Sequence, residues 1–251
     1  MIEEITRYWN EHVHDLAITS CSPGSAGFYN ELDSYRYDKL KYLTDLIDFS
    51  SFRGKKLLEI GCGVGIDLVR FARAGAIVVG VDLSETAIGL ARNYFSHEKL
   101  TADLHVMNGE KLEFPQNTFD VVYAHGVIPY TANPEKLIAE VNRVLKPGGE
   151  AILMVYNKYS WLSVLTKITN VPLEHVDAPV YRKISIGEFK QLLKPFKQYQ
   201  IISERFPEKT QLHRNWKGKV YNKIFVGVFN LIPRVIIKPF GWHLIGFAVK
   251  Q

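Results

Sequence analysis

The stretch LLEIGCGVG, from Leu57 to Gly65, decides the fold. A short apolar run leads into Glu59, three glycines alternate with other residues, and a helical pattern resumes at Ile66. Glycine reaches positive φ without strain and lets a ligand approach the backbone. The N-terminus of the following helix adds unpaired N–H groups and the positive end of its dipole. The stretch therefore predicts a strand, a tight glycine turn and a helix, with a nucleotide-like ligand at the turn.

An acidic residue ends the next predicted strand at a spacing that suits a ribose. The run AIVVGVD, from Ala76 to Asp82, is apolar until its last residue, as expected of a buried parallel strand. Asp82 follows Gly61 by about 20 residues, the distance at which a βαβ unit places a carboxylate on ribose hydroxyls. Ser84 can cap the next helix by itself. We therefore expect Asp82 to bind a sugar rather than to cap a helix.

The glycine spacing separates two families of nucleotide-binding proteins. The dinucleotide fingerprint GxGxxG requires a glycine where this chain has Ile66. The observed GxGxG, with Glu59 two residues ahead, resembles motif I of the class I S-adenosylmethionine-dependent methyltransferases. The run RVLKPGG, Arg143 to Gly149, resembles a signature of the ubiquinone and menaquinone type and its small-molecule relatives. In physical terms that run predicts a helix end followed by a strand.

The resemblance implies S-adenosylmethionine as cofactor and S-adenosylhomocysteine as product. It places the segment after the third strand against the adenine, where many relatives have Asp and this chain has Asn108. The asparagine keeps an acceptor oxygen for the adenine amino group. Arg36 and Tyr37, near the N-terminus, are candidates to face a carboxylate. The predicted cofactor-binding residues are Glu59, Gly61, Cys62, Gly63, Gly65, Asp82, Leu83, Asn108, Gly109, Glu110, His125, Arg36 and Tyr37.

The predicted fold class is α/β: a doubly wound seven-stranded sheet, mostly parallel with an antiparallel last strand, in a three-layer α/β/α Rossmann-like arrangement. Residues 1–50 are predicted to form a helical N-terminal cap and residues 51–251 the methyltransferase domain. Cap insertions are predicted at about 157–184 and at about 205–240, the second rich in basic and aromatic residues. The later strands are predicted at Leu104 to Met107, Phe119 to Ala124, Ala151 to Tyr156, Tyr199 to Glu204 and Gly241 to Lys250.

Composition narrows the class of protein further. The chain has 251 residues, 47% of them hydrophobic, which is enough for a sizeable core. Its two cysteines, Cys21 and Cys62, do not suggest a disulfide framework, so a reducing compartment is expected. The N-terminus does not resemble a signal peptide, and the longest uncharged apolar run near the end, Ile224 to Pro233, is too short to span a bilayer. We therefore expect a soluble, cytoplasmic protein with a formal charge of +5.

Methyl transfer from a sulfonium depends mainly on aligning the acceptor with the methyl group. Where the acceptor is a hydroxyl or an acidic carbon, a base helps, and histidine suits neutral pH. The predicted catalytic residues are His125, at the end of the fourth strand, His175 and Tyr130. His125 can alternatively contribute only its backbone carbonyl to the methionine amine. The predicted contacts to an apolar or aromatic acceptor are Tyr29, Tyr130, Tyr156, His175 and Tyr181.

The motifs leave more than one class of acceptor open. A nucleic-acid methyltransferase would place a polar residue at the end of the fourth strand, where this chain has Val127, Ile128 and Pro129, so nucleic acid is not the expected partner. A protein methyltransferase and a cofactor-binding module without turnover both remain compatible with the motifs. Contact with a membrane surface is possible but not favoured, and the sequence does not predict an oligomeric state. Because Ala124 and His125 supply no carboxylates for Mg²⁺, we expect metal-independent activity.

Overall fold

The computed structural model describes residues 1–13, 18–169, 173, 175–207, 223, 226–229 and 231–251. The strands are β1 (Lys56–Ile60), β2 (Ile77–Asp82), β3 (Asp103–Val106), β4 (Phe119–His125), β5 (Leu145–Tyr156), β6 (Gln198–Glu204) and β7 (His243–Val249). The α-helices are α1 (Ile2–Glu11), α2 (Ala26–Lys39), α3 (Tyr42–Leu46), α4 (Ile66–Arg73), α5 (Glu85–Glu98), α6 (Pro134–Val144), α7 (Trp161–Thr169), α8 (Ile186–Leu192), α9 (Val226–Phe229) and α10 (Arg234–Ile237). Short 3₁₀ segments occupy Phe49–Phe52, Ile128–Tyr130 and Lys238–Phe240.

The seven strands form one sheet in the order β3-β2-β1-β4-β5-β7-β6. Strands β1 to β5 pair in parallel, and β7 runs antiparallel to both β5 and β6. The predicted fold class is therefore confirmed. The strand order reverses between β1 and β4, so a crevice opens beyond the carboxyl ends of these strands. In open α/β sheets ligands bind at such a switch point.

Apolar side chains cover both faces of the sheet, which makes three layers. On one face Leu57 and Val121 pack with residues of α2, α4 and α5. On the other face Leu58 and Val122 pack with residues of α6 and α8. Neighbouring residues of one strand point to opposite faces, and both are buried, which explains the near-continuous apolar runs of β1 and β4.

The N-terminal helices differ in how they meet this core. Phe28 and Tyr29 of α2 and Leu43 of α3 are fully buried in the same layer as α4 and α5. In α1, Ile5 is buried while its charged neighbours face outward. The division into a cap of residues 1–50 and a following domain stays a prediction, but α2 and α3 belong to the core by their packing.

The predicted start of one strand was wrong. Strand β5 begins at Leu145 instead of Ala151, because Leu145 already pairs with Phe119 of β4. The register then shifts before Glu150 pairs with Val121, and Gly148 has a φ of +77° within this irregularity. The first predicted insertion, at about 157–184, contains helix α7. The aromatic and basic residues Trp216, Lys217, Lys219, Tyr221 and Phe225 of the second insertion lie outside the described residues. Within the described ranges, no helix has the length and apolarity needed to cross a membrane.

Candidate active site

The glycine turn between β1 and α4 has the backbone that its sequence predicted. Gly61, Gly63 and Gly65 have φ values of +68°, +53° and +87°. A Cβ on Gly61 would lie 2.3 Å from Cγ2 of Val127, so this glycine is required by packing against the loop after β4. A Cβ on Gly63 would meet nothing within 4 Å. The backbone of Gly63 therefore faces open space, where a ligand can approach it.

Asp82 connects the end of β2 to that turn. Its Oδ2 accepts a hydrogen bond from the Gly63 N–H at 2.9 Å, and its Oδ1 accepts one from the Ser84 N–H at 2.8 Å. Ser84 itself caps α5 by accepting from the Ala87 N–H, as the sequence predicted. Burial raises the pKa of Asp82, although the hydrogen bonds from these backbone N–H groups act to lower it. Each carboxylate oxygen keeps acceptor capacity for a hydroxyl group of a ligand.

A cavity of about 220 Å³ lies beyond the carboxyl ends of β1, β2 and β4. It joins the predicted cofactor residues to an aromatic wall. Ile2, Ile5 and Trp9 of α1 form its cover. Of the predicted site residues, those that line it are Arg36, Glu59, Gly61, Cys62, Gly63, Asp82, Leu83, Asn108, Gly109, Glu110, His125, Tyr130 and Tyr156.

Glu59 has a buried carboxylate, and one of its two oxygens lacks a hydrogen-bond partner among the described residues. It is 4% exposed, and its Oε2 accepts no hydrogen bond from the described residues. Burial and the nearby carboxylates of Asp67 and Asp82 raise its pKa well above the ordinary value, although Arg36 opposes this. Because an unpaired buried carboxylate is unfavourable, this position suits a cationic group or a hydrogen-bond donor of a ligand.

Arg36 and Tyr37 do face a carboxylate, and it belongs to the protein. The Arg36 guanidinium pairs with both oxygens of Asp67, the hydroxyl of Tyr37 donates to Oδ1 at 2.8 Å, and the hydroxyl of Tyr123 donates to Oδ2 at 2.8 Å. Burial acts against ionisation, but the charge and hydrogen bonds of Arg36, the electrostatic interaction with His125 and the hydrogen bond from Tyr123 lower the pKa of Asp67 to about 2. Arg36 and Asp67 line the cavity. Tyr37, like Gly65, lies outside the cavity lining in the described structure.

The segment after β3 forms the far side of the cavity. The Asn108 side-chain oxygen accepts from the Glu110 N–H at 2.9 Å, which shapes this turn. Oε1 of Glu110 accepts from the Thr131 hydroxyl and from the Asn133 N–H. Glu110 therefore ties the segment after β3 to the loop after β4, a role that the sequence did not indicate.

The sequence and the fold of this region are shared with known proteins. Residues 58–153 match a family described as methyltransferase domain. A sterol 24-C-methyltransferase of Gibberella zeae is 38% identical over 114 residues, covering 43% of this chain and 28% of that protein. A ubiquinone biosynthesis O-methyltransferase of Coxiella burnetii is 30% identical over 120 residues, covering 48% of this chain and 50% of that protein. The structure of magnesium protoporphyrin IX methyltransferase from Synechocystis PCC 6803, solved with bound SAH, has a TM-score of 0.62 and 17% identity, covering 100% of this chain and 99% of that chain.

Residues 58–153 match a methyltransferase domain, and the match supports the family predicted from the sequence, the class I S-adenosylmethionine-dependent methyltransferases. The predictions of family and cofactor are thereby confirmed. The chain matches 28% of the length of the sterol 24-C-methyltransferase and 50% of the length of the ubiquinone biosynthesis O-methyltransferase. The matched residues 58–153 run from β1 through β5 and contain the glycine turn, Asp82 and Asn108.

The residues that line the cavity fit S-adenosylmethionine. The open side of Gly63 leaves room for a ligand at the turn, and Asp82 offers acceptors suited to a cis-diol. Glu59 offers an unpaired carboxylate oxygen for an amino group. The observations on these three residues are independent of the family match, and together they favour a ligand with a sugar and a cationic group.

The acceptor residues predicted for the methyltransferase separate into three groups. Tyr130 and Tyr156 line the cavity, with ring centroids 6.0 Å apart. Tyr181 and His175 lie just behind this wall, since the Tyr181 ring is 5.7 Å and the His175 ring 6.4 Å from Tyr130. The position of Tyr29 does not support an acceptor contact, because it is 1% exposed and its hydroxyl donates to the backbone of α5.

Sequence reasoning missed four residues in or beside this cavity: Asp67, Tyr42, Arg205 and His243. Asp67 stands in the first turn of α4, where an acid is ordinary, so its pairing with Arg36 had no sequence signal. Tyr42 and His243 are hydrogen-bonded across 201 positions of sequence. Arg205 and His243 line the cavity beside His125.

Proposed function

We propose that this chain transfers the methyl group of S-adenosylmethionine to a small, apolar or aromatic metabolite. One observation carries the proposal: a single cavity joins the cofactor residues Glu59, Gly63 and Asp82 to an aromatic wall that includes Tyr130 and Tyr156. The names of the two curated relatives, which refer to sterol and ubiquinone methylation, support acceptors of this kind. When bound, the cofactor supplies a methyl group on a sulfonium that is already a good leaving group.

Each side chain at the cofactor end has a distinct proposed role. Asp82 accepts the ribose hydroxyls, Glu59 receives the amino group, and Asn108 with Gly109 meets the adenine. Arg36 is proposed to attract the cofactor carboxylate, with its charge held in place by Asp67. The remaining members of the predicted set, Cys62, Leu83, Glu110, Gly65 and Tyr37, are proposed to shape the walls of the site.

The acceptor end has two proposed catalytic residues that line the cavity, His125 and Tyr130, and His175, predicted as catalytic, is proposed as a positioning residue. His125 lines the cavity and is proposed to take up or orient the acceptor proton. Burial, together with Tyr156, raises the pKa of Tyr130, so Tyr130 stays protonated and acts as a hydrogen-bond donor. His175 accepts or donates a hydrogen bond with the Tyr8 hydroxyl at 3.0 Å, and its ring is 4.9 Å from Trp9. It is therefore proposed to act on the acceptor through the position of Trp9.

The test is calorimetric titration with S-adenosylmethionine, followed by transfer of labelled methyl to a panel of phenols, quinols, sterols and prenyl compounds. We expect saturable cofactor binding and transfer to at least one lipophilic acceptor. Binding without transfer would favour a cofactor-binding module, and transfer to RNA or protein would favour a macromolecular acceptor. A folded protein that binds no cofactor would overturn the proposal.

Metal independence stays a prediction with its own experiment. The described residues contain no group of three or more His, Cys, Asp or Glu side chains arranged to hold a metal ion. We expect turnover to be unchanged after exhaustive dialysis against EDTA, measured with the acceptor found above. Activity that disappears in chelator and returns with Mg²⁺ would contradict this expectation.

The less favoured prediction of membrane contact has one supporting observation. Val164 and Ile168 of α7 are 57% and 76% exposed, and Leu231 and Val235, on either side of the α10 start, are each 83% exposed. We expect binding to phosphatidylserine vesicles in a sedimentation assay to weaken in Leu231→Asp and to persist in Ile77→Asp, a matched change at the β2 start. If the unmodified protein does not sediment with the vesicles, the prediction of membrane contact is wrong.

A further inference from the structure

A chain of hydrogen bonds joins Arg205 to His125 beside the cavity. Nη1 of Arg205 is 3.0 Å from Nε2 of His243, and Nδ1 of His243 is hydrogen-bonded to the hydroxyl of Tyr42. The same hydroxyl lies 3.1 Å from Nε2 of His125. The four residues come from the segment after β6, the start of β7, helix α3 and the end of β4. Tyr42 and His243 are buried, so water does not replace these bonds.

The direction of every bond in this chain follows from the guanidinium at its end. Arginine only donates hydrogen bonds, so Nε2 of His243 must accept. Burial and the charge of Arg205 lower the pKa of His243 well below its ordinary value, so this ring is neutral. A neutral His243 that accepts at Nε2 carries its proton on Nδ1 and donates it to the Tyr42 oxygen. Tyr42 then donates its own proton to Nε2 of His125.

We propose that Arg205, His243 and Tyr42 are positioning residues that hold His125 neutral, with its proton on Nδ1. The catalytic consequence of this inference rests on the proposed function. The protonation state of the His125 ring rests on the hydrogen bonds, whatever the function. A neutral His125 adds no second positive charge beside the sulfonium. It is also the form that accepts a proton: an acceptor hydroxyl that replaces the Tyr42 hydroxyl as the donor to Nε2 can pass its proton to this nitrogen. The relay therefore keeps His125 available at mildly acidic pH.

Some of the other groups around His125 favour its protonated form and others favour its neutral form. Asp67 interacts electrostatically with His125 and on its own would favour the imidazolium. That carboxylate is already bound by Arg36, Tyr37 and Tyr123. The Tyr123 ring lies 6.2 Å from the His125 ring, and the His243 ring 5.4 Å from it. Positive charge on His125, on Lys39 and on Arg36 also lowers the pKa of His243, which reinforces the neutral form of His243.

The experiment is ¹⁵N NMR of histidine-labelled protein, with His125 assigned by its loss in His125→Gln. In the unmodified protein we expect a protonated Nδ1 and a bare Nε2 on His125 from pH 6 to pH 8. In Tyr42→Phe and in Arg205→Gln the proton affinity of His125 should rise roughly tenfold. The first variant removes the hydroxyl that donates to Nε2, and the second removes the guanidinium that fixes the direction in which this hydroxyl donates. Arg205→Lys, which keeps a cationic donor, should restore the original behaviour. Tyr94→Phe, which removes a buried hydroxyl elsewhere, should not alter it.

Three results would overturn the proposal: a bare Nδ1 in the unmodified protein, an imidazolium at pH 7, or an unchanged His125 titration in folded Tyr42→Phe. Circular dichroism of each variant establishes that it is folded, and Arg205→Gln provides an independent break in the relay if Tyr42→Phe does not fold. Rates measured against pH add a second readout, since both variants should lose turnover below pH 7 and recover it at pH 8. Failure of cofactor binding would contradict the proposed function and leave the NMR result standing.

Discussion

Asp67 is the residue on which several buried polar groups depend. Its carboxylate receives the Arg36 guanidinium and the hydroxyls of Tyr37 and Tyr123 inside the layer formed by α2, α4 and the sheet. The Asp67 side chain is 1% exposed, so solvent screens this ion pair very little. Removing one partner of such a pair leaves the other charge buried without compensation. Stability at this position is therefore coupled to the geometry of the cofactor end of the cavity.

Replacing Asp67 by asparagine is expected to lower the free energy of unfolding by about 3–5 kcal/mol at pH 7, because Arg36 loses its buried counter-charge. Urea unfolding followed by circular dichroism measures the change. Asp33→Asn is the matched control, since Asp33 pairs with Arg70 at a partly exposed position. That control should lose no more than about 1 kcal/mol. Equal losses in the two variants would contradict the assignment.

The same carboxylate predicts a pH dependence with a defined sign. The pKa of Asp67 is lowered from 3.8 to about 2 in the folded chain. Its contribution to stability is therefore complete above pH 4 and is lost as the pH falls towards 2. Between pH 5 and pH 2 the unmodified protein should lose about 2 kcal/mol more than Asp67→Asn does. Parallel urea titrations at the two pH values test this, and identical slopes would refute it.

Asp82 is expected to contribute to cofactor affinity more than to folding. Asp82→Asn keeps the shape and an acceptor for one backbone N–H, but it loses charge-assisted bonds to ribose. We expect the affinity for S-adenosylhomocysteine to fall by roughly 10–100-fold in calorimetry. Asp120→Asn is the control, because Asp120 also accepts a backbone N–H, from Lys56 at 2.8 Å, but lies outside the cavity lining within the described residues. A similar loss in both variants would argue against ribose binding.

At the scale of elements, the turn between β1 and α4 performs two separable tasks. Gly61 makes room for Val127, which brings the loop after β4 against the end of β1. Gly63 leaves its backbone open to the cavity and donates its N–H to Asp82. One glycine therefore serves packing and the other serves ligand access, although the sequence presents them as one motif.

Alanine substitutions at the two positions should separate these tasks. Gly63→Ala adds about 1–2 kcal/mol of left-handed backbone strain and little steric conflict, yet it should weaken S-adenosylhomocysteine binding because the methyl group occupies ligand space. Gly61→Ala adds a contact of 2.3 Å with Val127 and should lose clearly more stability than Gly63→Ala. Urea unfolding and calorimetry on both variants measure the two effects. Greater destabilisation by Gly63→Ala would contradict this division.

At the scale of the whole molecule, the cavity is assembled from elements that share no local sequence. Helix α1 covers it, β1, β2 and β4 supply its floor, and residues 205 and 243, at either end of the second insertion, complete one wall. Ligand binding should therefore stabilise the folded chain as a unit.

Saturation with S-adenosylhomocysteine should raise the melting temperature of this 251-residue chain. At a concentration one hundred times the dissociation constant, linkage predicts about 2.7 kcal/mol of stabilisation. For a chain of this size that corresponds to a rise of about 5–10 °C in differential scanning calorimetry. Asp82→Asn should show a smaller rise at the same ligand concentration, whereas Asp120→Asn should match the unmodified protein. Adenosine alone, which lacks the amino acid part, is a useful comparison for the role of Glu59.

Local patterns in the sequence determined the strands, the glycine turn and the position of Asp82, because these depend on side-chain period and on backbone angles of neighbouring residues. Parallel pairing in the folded chain then brings Asp82, Asn108 and His125 to one edge of the sheet, since the carboxyl ends of parallel strands lie together. Only the tertiary structure paired Arg36 with Asp67, buried Tyr29 away from the cavity, and joined Tyr42 to His243 across 201 positions. Such contacts depend on how the helices pack over the sheet, and no single stretch of sequence determines that packing.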